Sequence, residues 1–428
     1  MAVTGSLAAI FGRRRFDIRP GTDRIASLLS KLGNPERKFR SIHVVGTNGK
    51  GSTASFIASM LKTAGYRTGL FTSPHLVEYT ERFRVDGNQI DVARLDRLLD
   101  EILGIAADED TFFELTTAIA CHHFAESSVE IAVMEAGMGG RSDATAAVSS
   151  ISTVITPVSM DHSRWLGDSV DKIASEKIAI AESQTPIFSS VQPPEVLSVI
   201  ESYCSVNCNC LKLAGRDFNA VKTSGGTISF QMGDRVFKNL IHGIPGDYQL
   251  WNAATAIAVC TSLTDQGIFV DEKAVSTGLS SASWPGRMQR FTLENSRELI
   301  VDGAHNTAAA QALLDSVSAE ASPENVVLII GIMEDKDITG IVSILKSIAK
   351  RIIPVAPAQE RAFNPRLLAE EFESDGSNIQ VAGTVEEALE LAMRISMPGE
   401  LIVAAGSLFV AGEVIALMSG VHCNAVRG

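Results

Sequence analysis

The stretch IHVVGTNGKGST, residues 42–53, brings together a lysine, hydroxyl groups and closely spaced glycines, which are the groups that proteins use to bind phosphate. A β-branched run ends abruptly at Gly46, and a helical pattern begins directly after the glycines. Glycines allow backbone N–H groups to approach a phosphate closely, and a helix N-terminus adds free donors and a favourable dipole. The order of strand, glycine loop and helix therefore predicts a phosphate-binding loop.

This loop departs from the usual pattern of a glycine, four residues, and then Gly-Lys-Ser/Thr. Val44 stands where the first glycine is expected, and Gly51 separates Lys50 from the hydroxyl of Ser52. An ordinary glycine-rich turn is the alternative, but the lysine and hydroxyls in this context favour phosphate. We expect Lys50 to contact the β and γ phosphates of a nucleotide. The residues predicted to bind that nucleotide here are Thr47, Asn48, Gly49, Lys50, Gly51 and Ser52.

Two further polar residues follow apolar, strand-like runs. Glu135 ends VEIAVME just before a glycine turn, and His162 lies in SMDHSRWLG after another run. Ligands of open α/β sheets bind beyond the carboxyl ends of the strands, so Glu135 is a candidate for a ligand site. A helix cap or structural acid is the alternative for Glu135, and a structural histidine for His162. Asp161 is the candidate for orienting that histidine.

These residues have to be positioned by an α/β fold. Apolar runs alternate with amphipathic stretches, which predicts βαβ units and a mostly parallel sheet covered on both faces. Over residues 216–242 the pattern changes to short strands with glycine turns, which predicts a small β element. A second α/β series begins near residue 291. We therefore predict one domain over residues 1–290 and a smaller α/β domain over 291–428.

The composition limits the classes of function. The 428 residues carry a net charge of −13, with 45% hydrophobic and 20% charged residues, as is typical of globular proteins. The negative charge disfavours non-specific binding to nucleic acid or to an anionic membrane. No apolar run approaches the roughly 20 residues that span a bilayer, and the N-terminal arginines follow the apolar patch, unlike those of a secretory signal. We expect a cytoplasmic protein.

Cys204, Cys208 and Cys210 crowd into YCSVNCNC. Their spacing is not a paired Cys-x-x-Cys, and no histidine lies nearby to complete a ligand set. Reduced cysteines in a surface segment are therefore expected rather than a metal or redox site.

A series of motifs resembles the ATP-dependent amide ligases of the Mur ligase superfamily and, within it, the folylpolyglutamate synthase/dihydrofolate synthase family. The motifs occur in the family's order along most of the chain, so together they are highly specific. Besides GTNGKGST they are TSPHLVEYTERFRVDG, TFFELTT, MEAGMGGRSDAT, MDHSRWLGDSVDKIASEKIAI, WPGRMQR, VDGAHN and AGSLFVAGEV.

The resemblance implies a P-loop ATPase domain followed by a smaller Rossmann-like domain, with ATP and two Mg²⁺ ions bound between them. It implies that L-glutamate is joined to dihydropteroate, to a reduced folate, or to both. A carboxylate needs activation for this reaction, and phosphoryl transfer from ATP would give an acyl phosphate that the glutamate amine attacks. Positioning and charge neutralisation supply most of such catalysis. The expected partners are these small molecules, and we expect a monomer.

The resemblance also assigns roles to residues. Lys50, His162 and Lys177 would be catalytic, and Lys177 would be carbamylated by CO₂ into an anionic oxygen ligand, with Lys172 as its control. The metal ligands would be Ser73, Glu135, His162 and Lys177. Contacts with ATP would come from Asn252, Arg287 and Asp302, with His305 near the phosphates. The acceptor would contact Thr111, Phe113, Glu114, Ser142, Asp143 and Ala144.

Several positions leave alternatives open. Phe112 and Phe113 fit the core as well as an acceptor site, and Arg82 and Arg84 fit a solvated hairpin as well as a site for anionic substrate groups. Ala146 replaces an asparagine that is common in the family, which leaves the preferred acceptor open.

Other functions compete with this one. A Mur-type peptidoglycan precursor ligase, or a cyanophycin-type relative, would share the phosphate loop but not the acceptor motifs. A nucleotide-binding switch without catalysis would lack the metal ligands. A P-loop kinase would leave the second α/β series without a role.

Overall fold

Two β-sheets with helices on both faces form the core of the computed structural model, which describes residues 5–13, 21–161, 163–294, 297–372 and 378–421. The first sheet is the larger, and it is mostly parallel. The predicted α/β fold class is confirmed.

The first sheet has β1 near its centre. Its strands are β1 Arg40–Val45, β2 Thr68–Phe71, β3 Phe83–Val85, β4 Asn88–Gln89, β5 Ile131–Glu135, β6 Ser152–Ile155, β7 Ile187–Ser189 and β8 Leu211–Leu213. They lie in the order β4-β3-β2-β5-β1-β6-β7-β8. The strands from β2 to β8 in this order run parallel, and β3 and β4 form an antiparallel edge. The connections leave β1 toward one side of the sheet and reach β6 on the other, which makes a topological switch point beside β1.

Helices cover both faces of this sheet. They are α1 Gly5–Gly12, α2 Asp23–Lys31, α3 Lys50–Thr63, α4 Val92–Ile105, α5 Phe112–Glu126, α6 Ser163–Leu166, α7 Val170–Ile178, α8 Pro194–Val206, α9 Gln249–Ser262 and α10 Glu272–Ser281. Val133 of β5 packs in the cluster with α3 and α9, whereas its neighbour Met134 packs in the cluster with α4 and α5. Successive side chains of a strand point to opposite faces, so burial on both sides explains the nearly continuous apolar strands.

A separate antiparallel sheet confirms the predicted small β element. Its strands are β9 Asn219–Lys222, β10 Ile228–Met232 and β11 Arg235–Leu240, in the order β11-β10-β9. Phe230 and Phe237 of this sheet join the same apolar cluster as α9.

The second large sheet has the order β12-β13-β17-β14-β15-β16. Its strands are β12 Gln289–Thr292, β13 Glu298–Val301, β14 Val326–Ile330, β15 Arg351–Pro354, β16 Asn378–Ile379 and β17 Leu401–Ala405. Its helices are α11 Thr307–Ser318, α12 Ile338–Leu345, α13 Pro365–Phe372, α14 Val385–Ile395 and α15 Leu408–Ser419. β12 runs antiparallel to β13, and the other pairs are parallel. Because the division expected between residues 290 and 291 falls inside β12, we propose that this domain begins before Gln289.

Within the described ranges, no helix combines the length and the apolar character needed to cross a membrane. The cysteines of YCSVNCNC are free thiols, but they do not all lie on the surface. Cys204 is buried beside α7, and burial raises the pKa of its thiol to about 11. Cys208 and Cys210 are exposed.

Candidate active site

The carboxyl ends of the parallel strands in both large sheets face one cleft, whose cavity volume is about 550 Å³. The predicted site residues that the structure describes all line this cleft. They are Thr47, Asn48, Gly49, Lys50, Gly51, Ser52, Ser73, Thr111, Phe113, Glu114, Glu135, Ser142, Asp143, Ala144, Lys177, Asn252, Arg287, Asp302 and His305. His162 lies outside the described residues, so its metal and catalytic roles stay predictions.

Glycine is required at two positions of the phosphate loop, of which the usual pattern specifies only Gly49. Gly46 has φ of 148°, and a Cβ atom there would lie 2.0 Å from Thr156 Oγ1. Gly49 has φ of 82°, and its Cβ would lie 2.4 Å from Asn252 Oδ1. Gly46 therefore allows the phosphate loop to approach Thr156 closely. This explains how the loop forms although Val44 occupies the position of the usual first glycine.

The phosphate loop is anchored to the neighbouring strand before α3 begins at Lys50. The backbone N–H groups of Thr47 and Asn48 donate to the carbonyl of Pro157 at 3.0 and 3.1 Å. These two donors are thereby engaged, whereas the first N–H groups of a helix have no partner within the helix. The first turn of α3, rather than Thr47 and Asn48, provides the backbone donors for an anion. The Nζ atom of Lys50 lies 3.2 Å from the carbonyl oxygen of Thr47.

Glu135 ends β5 as a buried carboxylate with 4% exposure. The backbone N–H of Ser73, at the end of β2, donates to its Oε2 atom at 3.2 Å. Burial raises the pKa of Glu135 to about 6, although nearby Lys50 and the hydrogen bond from Ser73 oppose that increase. A carboxylate in this position favours a bound cation, because the cation would offset the cost of keeping the charge out of water.

Lys177 lies on α7 and is 4% exposed, so it is not a solvated surface lysine. Burial lowers the pKa of its amine to about 7, and the positive charge of Lys50 contributes to this shift. Lys172 is exposed and pairs with Asp168 at 2.7 Å. The two lysines on this short helix therefore differ in protonation, because only Lys177 holds a substantial neutral fraction near neutral pH.

The residues predicted for the acceptor partly serve as helix caps at the cleft. Thr111 caps α5: its Oγ1 atom accepts from the Glu114 N–H at 3.3 Å, and its own N–H donates to Glu114 Oε2 at 2.8 Å. Glu114 also pairs with Arg24 at 2.9 Å. Of the two phenylalanines, Phe112 is 4% exposed within the core, whereas Phe113 is half-buried.

A glycine turn after β5 lies in the same part of the cleft. We call residues 111–114 and 137–144, which include the residues predicted to contact the acceptor, the acceptor wall. A Cβ atom at Gly137 would lie 2.5 Å from Cζ of Phe113, so the ring lies flat against the turn. Asp143 fixes the turn by accepting the N–H of Met138 at 2.9 Å and the hydroxyl of Thr145 at 2.6 Å. The Ser142 N–H donates to Glu176 at 3.3 Å. Asp143 therefore holds the shape of the wall through its side chain.

Asp302 follows β13, and both of its carboxylate oxygens are engaged. Its Oδ2 atom accepts the hydroxyl of Tyr248 and the N–H of Met288, each at 2.9 Å. Its Oδ1 atom accepts the N–H of Ala304 at 2.9 Å. Asp302 thus connects the start of α9 in the first domain to the start of the second sheet, so it has a structural role besides the predicted nucleotide contact.

Asn252 and Arg287 occupy the other predicted nucleotide positions. Asn252 donates to Gln249 Oε1 at 2.8 Å, and Gln249 donates to Ser52 Oγ at 3.2 Å, which ties α9 to the phosphate loop. Arg287 donates from Nη1 to the carbonyl of Gly286 at 2.8 Å.

Two polar contacts cross the cleft close to the phosphate loop. Asn48 and Asn306 exchange side-chain amide hydrogen bonds at 2.9 and 3.3 Å. Asp161 lies 2.6 Å from Lys336 Nζ and 3.5 Å from His305 Nε2. Asp161, which was expected to orient His162, therefore pairs with the second domain.

The predicted metal site is only partly assembled from the described residues, among which no three His, Cys, Asp or Glu side chains converge. Ser73, Glu135 and Lys177 do line the same cleft. Two of these three residue types, serine and lysine, fall outside the usual ligand classes, so their convergence is a weaker signal than an acidic cluster would be.

Several residues of the second domain that line the cleft were not predicted from the sequence. They are Met333, Asp335, Lys336, Arg361, Ser407, Leu408 and Phe409. Lys336 and Ser407 follow the apolar strands β14 and β17. The rule that ligands bind beyond the carboxyl ends of strands, applied to the second series as it was to the first, would have found them.

The arginines of ERFRVDG do not form a solvated hairpin. Arg82 is 1% exposed, and its guanidinium lies over the rings of Phe112 and Tyr79. Arg84 is half-buried and lies over Trp284. Both arginines line the cleft.

Comparison with known proteins places the chain in one family. The Mur ligase middle domain matches residues 44–260, and the Mur ligase glutamate ligase domain matches residues 286–408. Dihydrofolate synthase/folylpolyglutamate synthase of Bacillus subtilis is 33% identical over 356 residues, which cover 80% of this chain and 82% of that protein. A probable bifunctional folylpolyglutamate synthase/dihydropteroate synthase of Haloferax volcanii is 34% identical over 94% of this chain, which spans 49% of that longer protein.

Solved structures agree with this assignment. Escherichia coli FolC in complex with DHPP and ADP has a TM-score of 0.87 at 29% identity, covering 96% of both chains. The bifunctional folylpolyglutamate synthase/dihydrofolate synthase of Yersinia pestis, complexed with AMPPNP and a Mn ion, has a TM-score of 0.85 at 28% identity, covering 96% of this chain and 97% of that one. By motifs, fold and whole-chain similarity, the chain belongs to the folylpolyglutamate synthase/dihydrofolate synthase family of Mur ligases.

Proposed function

We propose that the chain is an ATP-dependent ligase that joins L-glutamate to dihydropteroate and to reduced folates through an acyl phosphate. The observation that carries the proposal is the meeting of Lys50, Glu135 and Lys177 beside the N-terminus of α3. Burial raises the pKa of Glu135 to about 6 and lowers that of Lys177 to about 7. Perturbed ionisable groups in a cleft are typical of a catalytic site.

The first domain forms one wall of the cleft, the first wall, and this wall suits the triphosphate of ATP. Lys50 supplies a positive charge, and the first turn of α3 supplies backbone donors and the positive end of the helix dipole. Arg287, at the junction of the domains, is placed to neutralise further phosphate charge. Complexes of relatives with ADP, and with AMPPNP and manganese, support the use of ATP with a divalent metal ion.

The fit of magnesium depends on the chemical state of Lys177. Mg²⁺ prefers oxygen ligands and keeps several waters, so the carboxylate of Glu135 and the hydroxyl of Ser73 suit it. An ammonium group at Lys177 would repel the ion, whereas a carbamate on the same nitrogen would supply oxygen. Lys177, Glu135, Ser73 and the predicted His162 would together hold up to two magnesium ions. When bound, these ions neutralise charge on the phosphates.

Carbamylation of Lys177 is favoured by its surroundings. Only a neutral amine attacks CO₂, and the pKa of about 7 gives a large neutral fraction near neutral pH. Replacing the buried amine by an anionic carbamate also removes the repulsion between Lys177 and Lys50.

The proposed reaction uses both walls of the cleft, the first wall and the second wall that the second domain forms. An oxygen of the acceptor carboxylate attacks the γ-phosphorus, the bond from phosphorus to the ADP oxygen breaks, and an acyl phosphate forms. The amine of glutamate attacks the acyl carbon, and the tetrahedral intermediate loses phosphate to leave the amide. Lys50 stabilises charge during phosphoryl transfer. Arg361, which lines the wall formed by the second domain, would bind a carboxylate of the incoming glutamate.

Mass spectrometry of the product tests this function. Incubation with ATP, glutamate and dihydropteroate is expected to give a product heavier by one glutamyl unit, with one ADP released for each amide formed. A reduced folate offered instead of dihydropteroate is expected to gain glutamyl units too. Turnover of UDP-sugar peptides but not of either pterin would favour the Mur-type alternative. ATP binding without any acceptor-dependent turnover would favour a switch.

A further inference from the structure

Most of the cationic side chains that line the cleft already have partners or assigned roles. Lys336 pairs with Asp161, and Arg24 pairs with Glu114. Arg84 differs from them, because in the described part of the chain it makes no ion pair with a carboxylate within 4.0 Å. The contacts that Arg84 makes therefore do not account for its charge.

Arg84 is held in a defined place beside the phosphate loop. Its Nε atom donates to the backbone carbonyl of Glu81 at 3.2 Å, and its guanidinium lies 5.5 Å from the centre of the Trp284 ring. Trp284 in turn covers the start of α3, since a Cβ atom at Gly51 would lie 2.6 Å from its Nε1 atom. A guanidinium has five N–H donors. Within the described ranges the two terminal nitrogens have no hydrogen-bond partner, so their donors remain for a ligand in the cleft.

Arg82, two residues earlier, marks the other end of the same segment. Its guanidinium lies 5.2 Å from the Phe112 ring centre, and its Nε atom lies 2.9 Å from His75 Nδ1. Residues 82–84 thus run from the acceptor wall to the phosphate loop. Arg82 is enclosed at 1% exposure, so it supports the wall, whereas Arg84 is only half-buried and can meet a ligand.

The two acceptors of the proposed reaction differ in one charged group near the phosphate loop. Dihydropteroate presents a single carboxylate, which is the one to be activated. A folate presents the γ-carboxylate of its terminal glutamate for activation and carries an α-carboxylate close by. An anion placed in a cleft without a partner is costly, and a guanidinium pairs with a carboxylate through two parallel hydrogen bonds. The folate acceptor therefore needs a cation that dihydropteroate does not need.

We propose that Arg84, stacked on Trp284, binds the α-carboxylate of a folate's terminal glutamate and so determines how well the cleft accepts folates relative to dihydropteroate. This inference rests on the proposed ligase function. The stack holds the guanidinium in one orientation, so little side-chain freedom is lost on binding. Burial lowers the pKa of Arg84, which means that its charge is poorly solvated until an anion arrives.

The test compares both acceptors in the Arg84→Gln variant. We expect kcat/KM for a tetrahydrofolate monoglutamate to fall about 10- to 100-fold, mostly through KM, because a hydrogen bond to a charged group is lost. We expect kcat/KM for dihydropteroate to change by much less. Arg84→Lys should restore part of the folate activity, and Trp284→Phe should lower it slightly. The control is Arg37→Gln, since the Arg37 side chain is 78% exposed and does not line the cleft.

The outcomes separate this inference from the proposed function. Equal losses with both acceptors, or an increase in the KM for ATP, would assign Arg84 to the nucleotide and overturn the proposal. Unchanged activity with the folate would overturn it as well. If Arg84→Gln does not fold, the Arg84→Lys and Trp284→Phe variants still report the ratio of the two acceptors. A wild-type protein that glutamylates neither acceptor would instead refute the ligase function.

Discussion

The two walls of the cleft satisfy their charged groups in different ways. On the first wall, burial raises the pKa of Glu135 to about 6 and lowers that of Lys177 to about 7. On the second wall, Lys336 lies 2.6 Å from Asp161, and Asp302 accepts hydrogen bonds at both oxygens. Glu135 and Lys177 are therefore held in unfavourable charge states, whereas Lys336 and Asp302 have partners across the junction.

This difference indicates that the two sets of residues have different roles, one in the reaction and one in holding the domains together. Charged groups that are poorly solvated in the free protein interact strongly with a ligand of opposite charge, because the ligand replaces the stabilisation by water that burial has removed. Groups that are already paired fix the geometry of the cleft instead. We expect substitutions on the first wall to reduce the rate of the reaction most, and substitutions at the paired contacts to act mainly through binding.

The largest effect is expected for Lys50→Ala. Loss of its charge from the transferred phosphoryl group should lower kcat about 100- to 1000-fold, the range seen when one transition-state donor is removed. The measurement is acceptor-dependent ADP release. The Lys62→Ala variant, at an exposed position near the end of the same helix, should keep its activity. Comparable losses in both variants would mean that α3 itself had been damaged.

Lys177→Gln should lower activity about 10- to 100-fold, because a group of the proposed metal site is lost. With ¹³C-labelled CO₂, the wild-type protein should give a carbamate signal that this variant lacks and that Lys172→Gln retains. Since the pKa of Lys177 is about 7, the neutral amine and hence the signal should increase as the pH rises through that value. A signal that survives in Lys177→Gln would place the modification elsewhere.

A smaller effect is expected for Lys336→Met, which leaves Asp161 buried without this partner. We expect Kd for ADP to rise about 10-fold, because residues in direct contact are coupled by about 0.5–3 kcal/mol. Adding Asp161→Asn should recover part of the loss. The exposed pair Lys222–Asp247, at 2.7 Å, is the control, and Lys222→Met should leave Kd unchanged. An equal effect at both pairs would contradict a role specific to the junction.

The smallest effect concerns stability. Because burial raises the pKa of Glu135 from 4.5 to about 6, ionisation of this side chain destabilises the fold by about 2 kcal/mol above that pH. Glu135→Gln should therefore be more stable than the wild type near neutral pH, although it is less active. The advantage should shrink as the pH falls from about 6 to 4.5, where the wild-type carboxyl also becomes neutral.

Chemical denaturation across this pH range measures the effect. The exposed Glu390→Gln variant should show no such dependence. A Glu135→Gln variant that is less stable at every pH would mean that the carboxylate is already compensated within the free protein.

The fold was largely predictable from the sequence because its signals are local. Apolar strands such as β5 and β14 are buried on both faces, so their periodicity identified both sheets. The phosphate loop was predictable from its order of elements, despite Val44. What escaped prediction depends on contacts between distant segments, such as Asp161 with Lys336 or Arg84 with Trp284. Such partners are set by the packing of the domains, which no local pattern records.

The contact between Asn48 and Asn306 joins the domains through neutral amides. Dissolved ions screen charged contacts and leave neutral ones almost unaffected. Raising the ionic strength should therefore weaken the attraction of polyanionic substrates to the arginines of the cleft sooner than it loosens this tie beside the phosphate loop. At high salt the enzyme would then keep its domain arrangement but bind its substrates weakly.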